Sequence, residues 1–161
     1  MSINIVANLK LSSLFKEIPE NEIEKIAGVC TVKDLSAGET LFFENEESTS
    51  MYLVAKGTIA IKKSAKGNED SVSNIGSNSH LGEMAMLMRD GQTYERRSAT
   101  ADAAEFSSVI EIPYEALQTC FKNSPATGLV FYRNMAVSLA GRIRRTTEDL
   151  SGLRSLRLRH V

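Results

Sequence analysis

The spacing of hydrophobic residues changes twice along the chain and divides it into three parts. Over residues 9–30, hydrophobic residues recur every three or four positions, which predicts two short amphipathic helices separated at Pro19. Over residues 31–113 the period is two, as in β-strands, and beyond residue 113 it returns to helical spacing. We therefore expect one domain, with N-terminal helices over 1–30, strands over 31–113 and C-terminal helices over 114–161.

The central part contains short runs rich in Val, Ile, Leu, Phe and Tyr, separated by glycines and polar turns. Seven or eight such runs at regular spacing favour an antiparallel sandwich or barrel. Gly57 alone separates two of the runs, so its backbone is expected to need a positive φ or a close approach. Ser64–Ser71 is polar and predicts a hairpin tip. The predicted strands are 31–35, 39–43, 51–56, 58–63, 71–75, 97–101 and 107–113.

The C-terminal part predicts a helix over Tyr114–Phe121 and a long helix from Pro125 to at least Leu150. In the long helix, one set of positions alternates by four and three for three repeats. This heptad seam is typical of a helix that pairs with a second copy or packs along the strands. The seam consists of Tyr132, Ala136, Leu139, Ile143, Thr146, Leu150 and Leu153. We expect a homodimer, with contacts through Tyr132, Leu139, Ile143 and Leu150.

The stretch His80–Ala101 carries the residue types of an anion site. Gly82 and Glu83 open an apolar helical turn, and a chain that turns at a glycine into a helix presents free N–H groups. Arg97 follows a polar loop, and a guanidinium pairs with an oxyanion through two parallel hydrogen bonds. The pattern predicts a phosphate-binding segment. From the residues alone two alternatives stay open: Glu83 complements a helix dipole, and Arg97 pairs with an acid such as Asp102.

Charge and motif content argue against several classes of function. The net charge of −1 argues against a surface devoted to nucleic acid, although six arginines cluster in residues 141–161. These arginines are scattered around the predicted helix, so we interpret them as a solvated flank. The two histidines, His80 and His160, are too few for a metal site, and no Ser-His-Asp, HExxH or GxxxxGK pattern is present. We expect no metal, no cofactor and no enzymatic activity.

The cysteines and the hydropathy pattern bear on the compartment. Cys30 and Cys120 each lie within a hydrophobic pattern without metal-ligand spacing, which favours small buried residues over a disulfide or a reactive thiol. The N-terminus lacks a charged segment followed by a long apolar stretch, and no apolar run approaches the length of about 18 residues that spans a bilayer. We therefore expect a cytoplasmic protein without a membrane span.

Three stretches together resemble the cyclic nucleotide-binding domain family, which includes proteins like the catabolite activator protein and the protein kinase A regulatory subunit. These stretches are LSAGETLFFENEESTSMYLVAKGTIAIKK at 35–63, HLGEMAML at 80–87 and RRSATA at 96–101. The resemblance covers roughly residues 9–150. It implies a mainly β fold, namely an eight-stranded antiparallel, jelly-roll-like β-roll with two N-terminal helices, a short cassette helix and two C-terminal helices. It also implies that residues 80–101 form the family's phosphate-binding cassette.

The resemblance implies a role for each matching residue of the cassette. Glu83 would accept a hydrogen bond from the ribose 2′-hydroxyl, for which a carboxylate suits because it only accepts. Arg97 would neutralise the cyclic phosphate. The remaining candidates would donate from the backbone (Gly82, Met84 and Ala85) or from a hydroxyl or amide (Ser98). An apolar pocket for the base is expected near Leu53, Ile61 and Val72, covered by the long helix near residues 132–142.

The sequence departs from the family pattern at several positions. From Glu83 to Arg97 is fourteen positions, about four more than the family's usual cassette, and the excess lies in the polar loop Met88–Arg96. Asn45 and Asn78 stand where the family prefers glycine, and asparagine tolerates the left-handed region better than other residues. Arg96 precedes Arg97 directly, and Arg97 is preferred because RSAT then matches the end of the cassette.

These observations predict a cyclic nucleotide-binding regulatory module that transmits ligand occupancy through its C-terminal helices to an unknown effector protein. We expect cAMP rather than cGMP, and no DNA-binding domain in the chain, because a helix-turn-helix domain would need roughly 60 further residues. Two alternatives remain. One is a degenerate domain of the same fold that acts as a nucleotide-independent dimerisation or protein-docking module. The other is a sensor of a different small ligand.

Overall fold

The period-two part of the chain forms short antiparallel strands. The structure is a computed structural model that describes the backbone of residues 2–65, 68–88 and 95–158, and side chains within these ranges except at 65, 68–72 and 151–158. The strands are β1 (Thr31–Leu35), β2 (Thr40–Phe42), β3 (Ser50–Lys56), β4 (Thr58–Ala65), β5 (Asn68–Gly76), β6 (His80–Leu81), β7 (Thr100–Ala103) and β8 (Ser107–Pro113).

Among the described residues these strands form two four-stranded sheets. The order is β1-β8-β3-β6 in the first sheet and β2-β7-β4-β5 in the second, and all observed pairings are antiparallel. The mainly β fold with flanking helices, expected from the sequence, is therefore confirmed. The helical elements are α1 (Ile5–Leu11), a 3-10 turn (Ser13–Phe15), α2 (Glu20–Ala27), α3 (Glu83–Leu87), α4 (Tyr114–Asn123) and α5 (Pro125–Leu158).

The N-terminal helix differs from the prediction of a single helix over Leu9–Ile18. Helix α1 ends at Leu11 because Ser12 is extended, with φ −77° and ψ 136°. The Ser12 hydroxyl then accepts a hydrogen bond from the Leu14 amide at 3.4 Å and caps the 3-10 turn that follows. A local side-chain bond thus outcompetes the continuation of a helix whose hydrophobic spacing alone would allow it.

Two predicted strand boundaries are also wrong. The polar tip predicted over Ser64–Ser71 is shorter, because β4 continues to Ala65 and β5 begins at Asn68. The strand predicted from Arg97 begins only at Thr100. Instead of joining β4, the Arg97 backbone pairs with the turn at residues 45–46, donating to the Glu46 carbonyl at 2.9 Å and accepting from the Asn45 amide at 2.8 Å.

The predicted need for left-handed backbone is confirmed at three turns. Gly57 has φ 86°, and a Cβ there would lie 2.3 Å from the Ser107 hydroxyl oxygen, so both the conformation and the space require glycine. Asn45 and Asn78 each have φ 65°, so asparagine occupies the left-handed positions where the family prefers glycine.

The first sheet lies between the second sheet and the helices, so β3 is buried on both faces. Met51 and Leu53 of β3 pack with α4 and α5, in the cluster that contains Tyr114 and Phe131. Tyr52 and Val54, on the other face, belong to the cluster between the two sheets. Leu53, predicted to line the base pocket, therefore faces the helices instead.

The cysteines of the structure are free thiols: Cys30 is buried and Cys120 is half-buried. Burial raises the pKa of Cys30 to about 12, with a further contribution from Cys120, so this thiol stays protonated and behaves as a small hydrophobic residue. In the described parts of the chain, no helix is both long enough and apolar enough to span a bilayer.

Candidate binding site

A cavity of about 450 Å³ opens between the cassette, the second sheet and α5. We call it the central cavity. Its apolar wall includes Phe42, Ile61, Ile75 and Leu81. All six candidate residues named from the sequence line it, namely Gly82, Glu83, Met84, Ala85, Arg97 and Ser98. Its volume lies within the range of about 300–1,000 Å³ that is usual for small-molecule sites.

Gly82 joins β6 to α3 with φ 84°, in the left-handed region. A Cβ at this position would lie 2.6 Å from the Nη1 atom of Arg97 and 3.3 Å from the Ser50 carbonyl oxygen. Glycine is therefore required both for the turn and for the close approach of the arginine. The turn directs the first amides of α3 outward without intrahelical acceptors, with Ala85 buried and Met84 half exposed.

The Arg97 guanidinium is buried, with 5% of the residue exposed. Its plane lies over the Phe42 ring at 4.1 Å, its Nη2 donates to the Ser50 carbonyl at 2.8 Å, and its Nη1 donates to the Tyr114 hydroxyl at 3.3 Å. The Nε atom has no hydrogen-bond partner among the residues that the structure describes. Among the described residues no carboxylate lies within ion-pair distance of Arg97, so a buried positive charge at the cavity wall is left without an anion.

Glu83 is buried at 2% exposure at the opposite end of the cassette. Its Oε1 accepts a hydrogen bond from Nη1 of Arg142 at 2.6 Å, while its Oε2 has no hydrogen-bond partner in the described parts of the chain. Burial raises the pKa of the Glu83 carboxyl, and Arg142 opposes that rise. Arg142 also donates to the His80 carbonyl at 2.6 Å, so one side chain of α5 binds both the start of the cassette and its acid.

The end of the cassette is held by the turn after β2. Arg96 donates to the Asn45 carbonyl at 2.8 Å, and Lys63 donates to the Ser98 carbonyl while pairing with Glu44. Arg96 and Ser98 are exposed, in contrast to the buried Arg97. Arg96 thus binds the turn after β2, whereas Arg97 is buried at the wall of the cavity. The intervening residues 89–94, which belong to the polar loop that lengthens the cassette, lie outside the described residues.

The sequence interpretation missed three contributors to this site. Tyr114 connects its parts, because its hydroxyl donates to the Gly82 carbonyl at 2.5 Å and lies 2.7 Å from the Ser48 hydroxyl. Phe42 supports Arg97, and Arg142 pairs with Glu83. Arg142 could have been suspected, since it ends the segment expected to cover the cavity; nothing in the sequence marks Tyr114. Of the three predicted base-pocket residues, only Ile61 lines the cavity, and the Val72 side chain lies outside the described residues.

Comparison with known proteins gives a consistent picture. The family model described as cyclic nucleotide-binding domain matches residues 32–124. Among curated proteins, cGMP-dependent protein kinase 2 of Homo sapiens is 26% identical over 84 residues, which is 51% of this chain and 11% of the kinase. The chain spans 20% of the length of one curated relative, glutaminase 2 of Bradyrhizobium diazoefficiens, and 11% of the length of the kinase.

Two solved structures show the same fold. A cyclic nucleotide-binding domain from Methylobacillus flagellatus superposes with a TM-score of 0.77 at 18% identity, covering 90% of this chain and 79% of that chain. The regulatory domain of Toxoplasma gondii PKA, co-crystallised with cAMP, superposes with a TM-score of 0.64 at 22% identity, covering 72% of this chain and 42% of that chain.

Proposed function

The chain belongs to the cyclic nucleotide-binding domain family, whose model matches more than half of its length, and we propose that it is a regulatory module that binds a cyclic nucleotide in the central cavity. The family supplies the class of ligand. The residues that would hold the ligand, the base that is preferred and the way in which binding is transmitted are argued from the geometry of the site.

One observation carries the proposal. In the described parts of the chain, two buried side-chain polar atoms lack a hydrogen-bond partner, Oε2 of Glu83 and Nε of Arg97. Both residues line the central cavity. An unpartnered buried polar group costs about 1–3 kcal/mol, and more when it is charged, so two such atoms at one cavity favour this cavity as a ligand site. That ligand must present a hydrogen-bond donor to the carboxylate and an acceptor to the guanidinium.

A cyclic nucleotide meets this requirement. Its ribose 2′-hydroxyl would donate to Oε2 of Glu83, and its phosphate would accept from Nε of Arg97 and from the amides at Gly82, Met84 and Ala85. The base would pack against Ile61 and Ile75 of the second sheet. We infer a preference for cAMP, since an adenine can bind by packing alone, whereas a guanine preference would require Ser98 to reach the exocyclic amine.

Arg142 offers a route from the ligand to α5. A ribose bound to Oε2 would leave the bond between Oε1 and Arg142 in place and would favour the ionised form of Glu83. Binding would therefore strengthen the contact that holds α5 to the cassette. We further infer that α5 presents this change to an effector protein, that the chain acts as one module in the cytoplasm, and that it catalyses no reaction itself.

Titration with cAMP and with cGMP, followed by calorimetry and thermal melting, tests the proposal. At one hundred times its Kd, a nucleotide stabilises the protein by about 2.7 kcal/mol. Hydrogen exchange with and without nucleotide should slow in α5 near Arg142 if transmission follows the route described. The absence of any shift at millimolar nucleotide would refute nucleotide binding and favour a domain that works only by docking or dimerisation.

Two neighbouring arginines provide matched variants. Arg97→Ala should weaken nucleotide binding about tenfold or more, because a charge-assisted bond to the phosphate is lost. Arg96 also lines the central cavity, but it is exposed and donates to the Asn45 carbonyl, so Arg96→Ala should retain affinity within about threefold. Melting without nucleotide checks that each variant folds. If Arg96→Ala loses affinity and Arg97→Ala retains it, the phosphate residue is the wrong one of the pair.

A further inference from the structure

A second cavity, of about 300 Å³, lies between the roll and α5, on the other side of Arg142 from the central cavity. From the roll it is lined by the turn at Asn78 and Ser79 and by His80 at the start of β6. From α5 it is lined by Ser138, Arg142 and Arg145, among others. Arg142 also lines the central cavity, and no other described residue lines both. The two cavities therefore adjoin at Arg142.

The lining of the second cavity has the chemistry of an anion site. Its lining includes two arginines, three serines (Ser13, Ser79 and Ser138) and Asn78, and no acidic residue among those that the structure describes. The acid Glu17, which lines the adjoining groove, is paired with Arg133 at 2.7 Å, and Arg142 is paired with Glu83 at 2.6 Å. Arg142 retains further N–H donors because a guanidinium carries five, and among the described residues no ion pair to Arg145 is found, so the Arg145 charge is available to an anion. At about 30 Å³ per water molecule, the volume corresponds to roughly ten waters and accommodates a phosphate group with part of its hydration.

The two arginines of the cavity differ from the rest of the basic C-terminal segment. Arg142 and Arg145 are three residues apart, so they lie on the same face of α5 and point toward the turn at Asn78. Arg144, between them, lies on another face and approaches Glu148 at 3.8 Å. Arg144 and Arg145 are both exposed, in line with the expected solvated flank, but Arg145 also lines the second cavity, and Arg142 is half-buried there.

The opposite wall is rigidly placed. Asn78 has φ 65°, and its amide donates to the Val54 carbonyl at 2.8 Å, while the Val54 amide donates to the Ser79 carbonyl at 2.9 Å. These bonds fix the turn against β3. His80 is buried beside this turn, and its Nε2 lies 3.5 Å from the Ser138 hydroxyl. This contact links the roll side of the cavity to α5.

We propose that the second cavity binds a small phosphate-bearing anion, held by Arg142 and Arg145 of α5 and by the Asn78-Ser79 turn of the roll. Such an anion ties α5 to the roll at a point distinct from the contact between Glu83 and Arg142. It is free phosphate or the phosphate of a small monoester, since both present the same tetrahedral oxyanion to two guanidiniums.

Phosphate binding to the full chain is measured by calorimetry and melting at constant ionic strength, with chloride replaced stepwise by inorganic phosphate and, in a second series, by glycerol 3-phosphate. We expect saturable stabilisation by at least one of the two probes, and tighter binding of the monoester identifies it as the better model of the ligand. No saturable effect of either probe overturns the proposal.

Variants locate the site. Arg145→Gln should weaken binding of the phosphate probe about tenfold, since it removes a charge-assisted bond, while Arg144→Gln should leave it unchanged. Asn78→Gly removes the side chain from the roll wall, keeps a residue that tolerates φ 65°, and should also weaken binding. Arg97→Ala, in the central cavity, should have no effect. Loss of phosphate binding in Arg97→Ala with retention in Arg145→Gln would assign the anion to the central cavity and overturn the proposal, whether or not nucleotide binds there.

Discussion

At the scale of single residues, the distinguishing feature of the central cavity is a pair of buried charged side chains that are only partly compensated. Glu83 and Arg97 are each nearly inaccessible, and each keeps one polar atom without a partner. Burying a charged group costs several kcal/mol unless partners compensate it. Arg142 supplies part of that compensation for Glu83, and Phe42 with Ser50 supplies part of it for Arg97. The compensation is incomplete on the side of the cavity, where a ligand would complete it.

The burial of His80 leads us to expect that the free energy of unfolding depends on pH. Burial, and secondarily the charge of Arg142, lowers the pKa of His80 to about 3 in the folded protein, below its ordinary value of 6.5. The unfolded chain therefore binds more protons between these values, and stability is lost as the pH falls below about 6.5. Relative to His80→Gln, the wild type should lose about 2 kcal/mol of unfolding free energy between pH 6.5 and 5.0.

Urea denaturation of both proteins at pH 7.5, 6.5 and 5.0 measures this difference. Glu83, whose raised pKa acts in the opposite sense, is present in both proteins, so its contribution largely cancels in the comparison. Parallel curves for wild type and variant across the three pH values would show that His80 is protonated as easily in the folded protein as in the unfolded chain.

At the scale of elements, the cassette is a strand, a glycine turn and a short helix whose two ends are fastened to different parts of the roll. Tyr114, the first residue of α4, binds the Gly82 carbonyl, and the turn after β2 binds the backbone of Arg97. The sequence interpretation identified both ends of the cassette because glycine, acid and arginine are distinctive there. It could not identify the hydrogen bonds that hold these two ends, because Tyr114 and the turn after β2 are distant from the cassette in sequence and carry no local pattern.

Two glycines with the same φ, one in the cassette and one outside it, allow the cost of a left-handed backbone to be distinguished from the cost of steric crowding. Gly38 and Gly82 both have φ 84°, but a Cβ at Gly38 would meet no atom within 4 Å, whereas at Gly82 it would meet Arg97. Gly38→Ala should cost about 1–2 kcal/mol of stability from left-handed strain and leave nucleotide affinity unchanged. Gly82→Ala should cost more and should also weaken nucleotide binding about tenfold, because Arg97 is displaced.

Denaturant titration and calorimetry on the same two variants check this prediction. Equal losses of stability in Gly38→Ala and Gly82→Ala, with nucleotide affinity retained in both, would show that Arg97 moves aside at no cost. The close approach of Gly82 and Arg97 would then have no part in binding.

At the scale of the whole molecule, α5 is the element that extends beyond the roll. Its face toward the domain carries buried Phe131, Asn134 and Met135, and every described side chain from residue 143 to 150 is exposed. On the heptad seam, Leu139 packs against the helix-side core, whereas Ile143 and Leu150 are 68% and 54% exposed. The part of the seam at Ile143 and Leu150 is therefore available to a second copy of the chain, and the dimer stays a prediction.

A pair of equally exposed residues tests the dimer. Ile143 lies on the seam, and Val137, also 68% exposed, lies on a different face of α5. Ile143→Glu should shift the protein from dimer to monomer at micromolar concentration, because a charge in a paired seam is buried without a partner. Val137→Glu should leave the dimer intact.

Light scattering at several concentrations measures the mass directly. A wild-type protein that is monomeric throughout this range would exclude pairing through α5. A dimer that both variants retain would show that the contact lies elsewhere on the molecule.

The sequence by itself determined the order of the elements, the left-handed turns at Asn45, Gly57 and Asn78, and the cassette residues that line the central cavity. These features depend on hydrophobic period and on the backbone preferences of single residues, which are local properties. It did not determine the end of α1, where a serine hydroxyl competed with the helix, or the start of β7, where a distant turn took the hydrogen bonds of Arg97.

Only the tertiary structure decided which partners surround the candidate residues. It turned Leu53 toward the helices, brought Arg142 from α5 to Glu83, and placed Arg142 between two cavities. The physical reason is that burial and charge compensation are properties of the assembled fold. The partner of the Glu83 carboxylate, Arg142, lies 59 positions away in the chain, and no local sequence pattern indicates that the two residues come into contact.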